Sequence, residues 1–284
     1  MVKQKIKAVF FDLDGTLLTS RGKIARSTKK AIETLHNKGI ICGVSTARTP
    51  TSVARILKDL PFDLFIACNG QLVYTKEQMI YAKPFEQKAL DEIISYADQY
   101  SRQMILCAKD HTEGSWTMRF SQSGALLRLA RFIPYWFPIR KVKRALQKYS
   151  PNRRKQRYAN LAILQEPIYQ CVMLSAEYET EKLTAALPNC DLKRSNPYSV
   201  DLVPKGSSKL AGLRFLSAHL GINLAEIMVF GDHLNDIEII QGAGVGIAMG
   251  NASTRTKQIA DYVTHSNDQE GIFTALQYYQ LINE

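Results

Sequence analysis

AVFFDLDGTL, at residues 8–17, joins four apolar residues to two aspartates that are separated by one leucine. The apolar run Ala8–Phe11 is typical of a buried strand. Asp12 and Asp14 follow at its carboxyl end, and Gly15 behind them indicates a turn. Because open parallel sheets bind ligands outside the carboxyl ends of their strands, a functional site is expected here.

On both sides of this segment, strand and helix patterns alternate along the chain. Helical spacing of apolar residues over 28–35 and 53–60 alternates with strand candidates at 40–45 and 64–68. The alternation resumes near the C-terminus, with a helix over 210–220, strands at 227–230 and 245–249, and a last helix at 272–276. This pattern predicts an α/β fold with a parallel sheet that helices cover on its faces.

The middle of the chain shows a different pattern of predicted helices and strands. It combines a helix through Leu90 and Ile94 with strand-like runs at 104–108 and 171–175. We therefore predict a core domain made of residues 1–83 and 198–284, with an inserted α+β domain at 84–197.

Composition bounds the class of protein. The length of 284 residues suits two domains, and 45% apolar with 22% charged residues is ordinary for a globular chain. No apolar run is long enough to cross a membrane, and the N-terminus lacks signal-peptide features, so we expect a cytoplasmic protein. Five scattered cysteines without CxxC spacing argue against disulfides and zinc. The net charge of +11 arises essentially from residues 128–157, which carry eleven basic and no acidic side chains.

Four of the predicted strands end in polar residues that should meet along one rim. These ends are Asp12 to Thr16, Thr46 to Arg48, Asn69 with Gly70, and Gly231 to Asp236. Asp12, Asp14 and Asp232 would repel one another there unless a cation shares the site. Oxygen ligands and phosphate chemistry favour Mg²⁺ as that cation.

Such a rim suits phosphoryl transfer. Asp12 is placed to attack a phosphate ester and form an aspartyl phosphate. Asp14, two residues on, is placed to protonate the leaving alcohol and later to activate water. Lys209, Thr46 and Asn235 are candidate donors to the phosphate oxygens.

These segments resemble the four motifs of haloacid dehalogenase-like (HAD) phosphatases: DLDGTL at 12–17, Thr46, Lys209, and GDHLND at 231–236. GVGIAMGNA, at 244–252, is similar to the Cof-type subfamily in particular. The resemblance implies a Rossmann-like parallel-sheet core with an inserted α+β cap of the IIB type. It also implies a Mg²⁺-dependent phosphatase that acts on a small sugar phosphate or phosphorylated cofactor.

The same resemblance implies roles for the acidic residues. Asp12 would be nucleophile and metal ligand, and Asp14 would be general acid/base and a ligand through its backbone carbonyl. Asp232 would complete the metal ligands of the protein. Asp236 would orient Lys209 or a metal-bound water.

The phosphate would be held by the amides of Leu13 and Ala47 together with Thr46, Lys209 and Asn235. Asn69 and Asn251 would support the site. Ala47 stands where the family has glycine, which removes glycine's access to positive φ and puts the geometry of that loop in question.

Two alternatives remain open from the sequence. The same core could serve a phosphomutase or a phosphatase narrow for one sugar phosphate. A non-catalytic protein could use the basic segment 128–157 as a regulatory or nucleic-acid contact, which ranks lower because no nucleic-acid-binding signature accompanies the charge. His233 is given no role, and the sequence leaves the substrate and the oligomeric state open.

Overall fold

The computed structural model describes residues 5–58, 60–115, 118 and 157–283, which form two sheets flanked by helices. The strands are β1 Ala8–Phe11, β2 Ile41–Ser45, β3 Leu64–Ala67, β4 Leu72–Tyr74, β5 Met79–Ala82, β6 Met104–Cys107, β7 Thr112–Gly114, β8 Gln170–Leu174, β9 Cys190–Asn196, β10 Ser199–Pro204, β11 Ile227–Gly231, β12 Val245–Ala248 and β13 Tyr262–Val263. The α-helices are α1 Arg26–Asn37, α2 Pro50–Ile56, α3 Gln87–Gln99, α4 Thr180–Ala186, α5 Lys209–Leu220, α6 Ile237–Gly242, α7 Thr254–Gln258 and α8 Gly271–Tyr278.

The larger sheet has eight strands in the order β13-β12-β11-β1-β2-β3-β4-β5. Strands β13 to β3 of that order pair in parallel, and β4 and β5 add an antiparallel edge. The predicted α/β class with a parallel sheet is confirmed. Because β1 is central and its neighbours β2 and β11 come from the two ends of the chain, both ends contribute to one core.

The two faces of this sheet pack against different helices, as strand alternation requires. Val9 and Phe11 lie in one apolar cluster with Ile32 and Leu35 of α1. Residues of the opposite parity, such as Phe10, pack with α5 in a second cluster. The strand β1 is therefore buried on both faces, which fixes the positions of the residues that follow it.

The second sheet has five antiparallel strands in the order β7-β6-β8-β10-β9. One of its faces carries Met173, Val200 and Leu202, which pack against Leu90 and Ile93 of α3. This is the α+β module that the sequence predicts.

Strand pairing bears on the predicted boundary at residue 197. Strand β10, Ser199–Pro204, pairs with β8 and β9 and is part of the second sheet. We therefore propose that the inserted module extends to Pro204. The domain division itself stays a prediction.

The sequence patterns missed three short strands of the larger sheet. The hairpin β4–β5 was not predicted because its strands have three and four residues and follow the turn at Gly70. Strand β13 has two residues, which is too short for an alternating pattern.

All five cysteines are buried and free. Among the described residues, no helix combines the length and apolar character that membrane crossing requires. Of the basic segment 128–157, only Arg157 lies within the described residues.

Leu35→Ala should destabilise the core strongly, because Leu35 is fully buried in α1 against the central sheet. We expect the free energy of unfolding in urea to fall by about 2–5 kcal/mol. Leu220→Ala is the matched control, since Leu220 ends α5 with 38% of its surface exposed. Equal losses in the two variants would contradict this packing.

Candidate active site

The carboxyl ends of four strands converge as the sequence predicts. Asp12 follows β1, and its backbone amide donates to the carbonyl of Phe230 in β11 (3.0 Å). Thr46 follows β2, and its backbone amide donates to the carbonyl of Ile66 in β3 (2.8 Å). The backbone amide of Asn69 donates to the Thr46 carbonyl (3.0 Å). The strand register thus brings segments 12–16, 46–48, 69–70 and 231–236 to one edge of the sheet.

Lys209 lies at the centre of this edge. Its Nζ donates to Asp12 Oδ1 and to Asp236 Oδ1, each at 2.6 Å. The Lys209 side chain is 1% exposed. Burial lowers the pKa of Lys209, but Asp12 and Asp236 raise it above its usual value, so the ammonium stays charged.

The position of Lys209 depends on the start of α5. Ser208 caps this helix by accepting a hydrogen bond from the Ala211 amide (3.1 Å). Gly70 packs against this cap with φ of 99°, and a Cβ there would lie 2.1 Å from the Ser208 carbonyl oxygen. The glycine therefore lets the turn after β3 approach the first residue of α5.

Three carboxylates lie together beside this lysine. Oxygen atoms of Asp12, Asp232 and Asp236 lie within 4.8 Å of one another. Burial raises the pKa of Asp12 well above its usual value, opposed by Lys209 and reinforced by the neighbouring carboxylates. Burial likewise raises the pKa of Asp232. With one lysine among them, three ionised carboxylates leave two negative charges in a buried site.

Asp14 differs from the sequence-based expectation that its carboxylate crowds Asp12 and Asp232. Its oxygens instead accept hydrogen bonds from Arg48 Nε (2.6 Å) and Nη2 (2.7 Å), and its side chain is 51% exposed. The third carboxylate in the cluster is Asp236. The reason is geometric: Arg48 follows the adjacent strand β2, and its guanidinium binds the Asp14 carboxylate in a bidentate manner outside the cluster.

Comparison with known proteins now identifies the family. The family model for haloacid dehalogenase-like hydrolases matches residues 9–276. The chain belongs to the haloacid dehalogenase-like hydrolases. It is a phosphatase of the subclass IIB type, the type to which a similar solved sugar phosphatase belongs.

Three similar proteins illustrate this assignment. YkrA of Bacillus subtilis is 31% identical over 271 residues, which cover 95% of this chain and 96% of that one. The 5-amino-6-(5-phospho-D-ribitylamino)uracil phosphatase YcsE of Bacillus subtilis is 26% identical, covering 97% and 96% of the two chains. The solved HAD subclass IIB sugar phosphatase BT4131 superposes with a TM-score of 0.78 at 26% identity, covering 97% of this chain and 100% of that chain.

In this phosphatase, Asp232 is fixed by three neighbours. Its oxygens accept from Thr16 Oγ1 (3.2 Å) and Asn251 Nδ2 (3.3 Å), and His233 Nδ1 lies 2.7 Å from Oδ2. Asn251 also donates to the Gly15 carbonyl (2.8 Å) and so ties the two motifs together. His233 is therefore a direct neighbour of Asp232, a contact that the sequence pattern did not reveal.

Asp236 has both carboxylate oxygens occupied. Oδ1 accepts from Lys209, and Oδ2 accepts from the backbone amides of Asp232 (3.1 Å) and His233 (3.0 Å). Asp236 thus holds the lysine and the 232–233 turn at once. Its free capacity for a metal is smaller than that of Asp12, which accepts a single hydrogen bond among the described residues, from Lys209.

The candidate phosphate-holding residues lie on the segments that follow β1, β2 and β11 and at the start of α5. Leu13 and Thr46 are buried, and Thr46 Oγ1 accepts from the Arg48 amide (3.2 Å). Ala47 does not have positive φ, so the substitution of the family glycine introduces no left-handed strain. Asn235 Nδ2 donates to Asn69 Oδ1 (3.2 Å), and the buried Asn235 Oδ1 has no partner among the described residues.

Asn69 connects this site to the inserted module. It is buried with φ of 56°, a conformation that asparagine tolerates better than most residues. Its Nδ2 donates to Gln170 Oε1 in β8 (3.1 Å) and to Asp201 Oδ2 in β10 (2.9 Å). Sequence reasoning missed Gln170 and Asp201, although a charged residue inside the apolar strand SVDLVP at 199–204 was an available signal.

A cleft of about 660 Å³ separates the two sheets at this point. The core side contributes Ala47, Arg48 and Arg55, and the inserted module contributes Gln170 and Asp201. The cleft therefore adjoins the candidate phosphate-holding loop at 46–48.

Gly15→Ala should disable the phosphatase. Gly15 has φ of 85°, and a Cβ there would lie 2.1 Å from Asp232 Oδ2, so Asp232 must move. We expect kcat/KM for an aryl phosphate to fall by at least about 100-fold. Gly22→Ala is the control, since Gly22 has φ of 69° but open space around its Cβ position. Gly22→Ala should lose only about 1 kcal/mol of stability, and similar activities in both variants would contradict the contact.

Asp201→Asn should change how stability depends on pH. Burial raises the pKa of Asp201 to about 6, opposed by Asn69, Lys209 and Arg194. The folded protein therefore holds a proton that the unfolded chain has lost, and this lowers stability as pH rises from about 4 to about 6.

Relative to wild type, the Asn variant should gain about 1–3 kcal/mol of unfolding free energy across that window and keep the gain at higher pH. Urea unfolding at a series of pH values measures this difference. Parallel curves for the two proteins would show that Asp201 titrates normally.

Proposed function

We propose that this phosphatase hydrolyses the phosphate monoester of a small metabolite with Mg²⁺, through an aspartyl phosphate on Asp12. The observation that carries the proposal is the position of Asp12. Its Oδ1 is held by Lys209, whereas Oδ2 accepts no hydrogen bond from any described residue. One oxygen is thus anchored and the other is available as a nucleophile.

The residues present fit a hard divalent cation. The cluster offers carboxylate oxygens only, and its carboxylates outnumber the one buried ammonium beside them, which favours a divalent cation. Asp12 and Asp232 would hold the ion, with the backbone carbonyl of Asp14. When bound, the ion would neutralise charge on the transferring phosphoryl group.

The remaining side chains suit the other steps. Lys209, Thr46, Asn235 and the amides of Leu13 and Ala47 would orient the phosphoryl group towards Asp12. Asp14 would protonate the leaving alcohol and then take a proton from the attacking water. To do so, Asp14 must exchange its Arg48 partner for the substrate.

The substrate proposed is a sugar phosphate or a phosphorylated cofactor. Support comes from the two similar proteins whose names specify a phosphoribitylamino pyrimidine and a sugar phosphate, and from the cleft beside residues 46–48. A phosphomutase or a phosphatase narrow for one sugar phosphate would use the same core. A cytoplasmic location stays a prediction, and a nucleic-acid contact through the basic segment 128–157 stays the lower-ranked alternative.

Asp12→Asn should abolish turnover. We expect wild-type protein to release phosphate from 4-nitrophenyl phosphate with Mg²⁺ and to stop in excess chelator, whereas the Asn variant is inactive in both conditions. Binding of both proteins to heparin across a salt series is the parallel measurement. Inert wild-type protein with steeply salt-dependent heparin binding would favour the non-catalytic alternative.

Asp14→Asn should separate the two half-reactions. Nitrophenolate leaves without help from an acid, so Asp12 can still be phosphorylated, but water is no longer activated. We expect a burst of about one nitrophenolate per protein followed by slow turnover, measured by stopped-flow absorbance. A variant that keeps the wild-type steady-state rate would contradict the role of Asp14.

A further inference from the structure

The open face of the second sheet carries a polar pair that the reaction does not use. Strand alternation places Val200 and Leu202 on the face that packs against α3, and it places Asp201 on the opposite face. Asp201 lies opposite Val172, and Gln170 lies two residues from Val172 on the same face. Asp201 and Gln170 thus both belong to the surface that lines the cleft.

One amide nitrogen holds the two side chains next to each other. Asn69 Nδ2 donates both to Gln170 Oε1 (3.1 Å) and to Asp201 Oδ2 (2.9 Å). This contact uses Gln170 Oε1 and Asp201 Oδ2. The NH₂ group of Gln170 and Oδ1 of Asp201 are therefore the atoms left for a ligand. Neither of these atoms has a hydrogen-bond partner among the described residues, and Gln170 and Asp201 as whole residues are 3% and 7% exposed.

This arrangement leaves the two atoms available to a ligand. Neither belongs to the enclosed unpaired polar atoms of the described residues, so both keep contact with the cleft although their residues are more than nine-tenths buried. The raised pKa of Asp201, about 6, is the electrostatic side of that burial. Residues that line a cleft and have a strongly perturbed pKa occur preferentially at functional sites.

The chemistry of the pair selects one class of group. Asp201 Oδ1 accepts only, and Gln170 Nε2 donates only. A hydroxyl group both donates and accepts, so one hydroxyl, or two on adjacent carbons, satisfies both atoms. An ammonium group would satisfy Asp201 but would face the NH₂ group of Gln170, and an anion would face the carboxylate.

The pair is also coupled to the candidate phosphate pocket. Asn69 Oδ1 accepts from Asn235, which is one of the candidate phosphate donors, and the Asn69 amide bonds to Thr46. A ligand with its phosphate at residues 46–48 and its carbon chain in the cleft would extend towards the pair.

We propose that Asp201 and Gln170 are specificity-determining residues that bind hydroxyl groups on the alcohol part of the phosphate ester, and so select polyhydroxylated over aliphatic substrates. This inference rests on the proposed function, since the phosphate must enter the Asp12 site. Both residues belong to the inserted module and would contact the alcohol part of the substrate directly.

Two esters of equal carbon number test the proposal: glucitol 6-phosphate, which carries hydroxyl groups, and hexyl phosphate, which does not. Wild-type protein should prefer glucitol 6-phosphate in kcat/KM by at least about tenfold. In Asp201→Asn, and separately in Gln170→Met, the ratio of the two kcat/KM values should fall by about 10- to 100-fold.

Asp191→Asn is the matched control. Asp191 is also a carboxylate of the second module, but it accepts from the Gly206 amide and pairs with Lys205, and it does not line the cleft. Its substrate ratio should equal that of wild type. If Asp201→Asn and Gln170→Met lower both esters equally, the pair is a structural support for Asn69 and the proposal is wrong.

A binding measurement separates this proposal from the proposed function. Calorimetric titration of the two esters into Asp12→Asn with Mg²⁺, with and without Asp201→Asn, needs no turnover. If wild type hydrolyses neither ester and also releases no phosphate from 4-nitrophenyl phosphate, the proposed function fails, and tighter binding of glucitol 6-phosphate that Asp201→Asn removes still supports the hydroxyl subsite. Equal binding of both esters overturns it.

Discussion

The ammonium group of Lys209, held between Asp12 and Asp236, is the interaction on which the rest of the site depends. It joins residues that follow the adjacent strands β1 and β11 to the first turn of α5. Removing one partner from such a buried ion pair costs about 3–5 kcal/mol, because the others remain charged without compensation. The glycine at position 70 serves this contact, since only its small size lets α5 begin so close to β3.

This lysine compensates only part of the negative charge. Asp12 and Asp236 share the Lys209 ammonium, Asp232 lies beside the His233 imidazole, and burial raises the pKa values of Asp12 and Asp232. A protein that keeps three carboxylates together gains from any divalent ion that enters. Repulsion among these carboxylates lowers the stability of the metal-free protein. The same repulsion raises the affinity of the site for a divalent ion.

Much of the core could be predicted from the sequence because its strands are buried on both faces and therefore read as unbroken apolar runs. Strand β1 matches its predicted bounds, and the polar residues after it fall where parallel strands must place them. Side-chain direction was not predictable. Asp14 faces Arg48 instead of Asp12, and the partnership of Asp201 with Asn69 joins positions 132 residues apart. Such contacts depend on tertiary packing, which local patterns do not encode.

A crystal structure of the protein with Mg²⁺ and fluoroberyllate tests the central claim most directly. We expect a beryllium–oxygen bond to the Asp12 carboxylate, with the ion between Asp12 and Asp232 and Lys209 beside the fluorides. Fluoroberyllate bound elsewhere, or a metal ion that contacts neither aspartate, would contradict it.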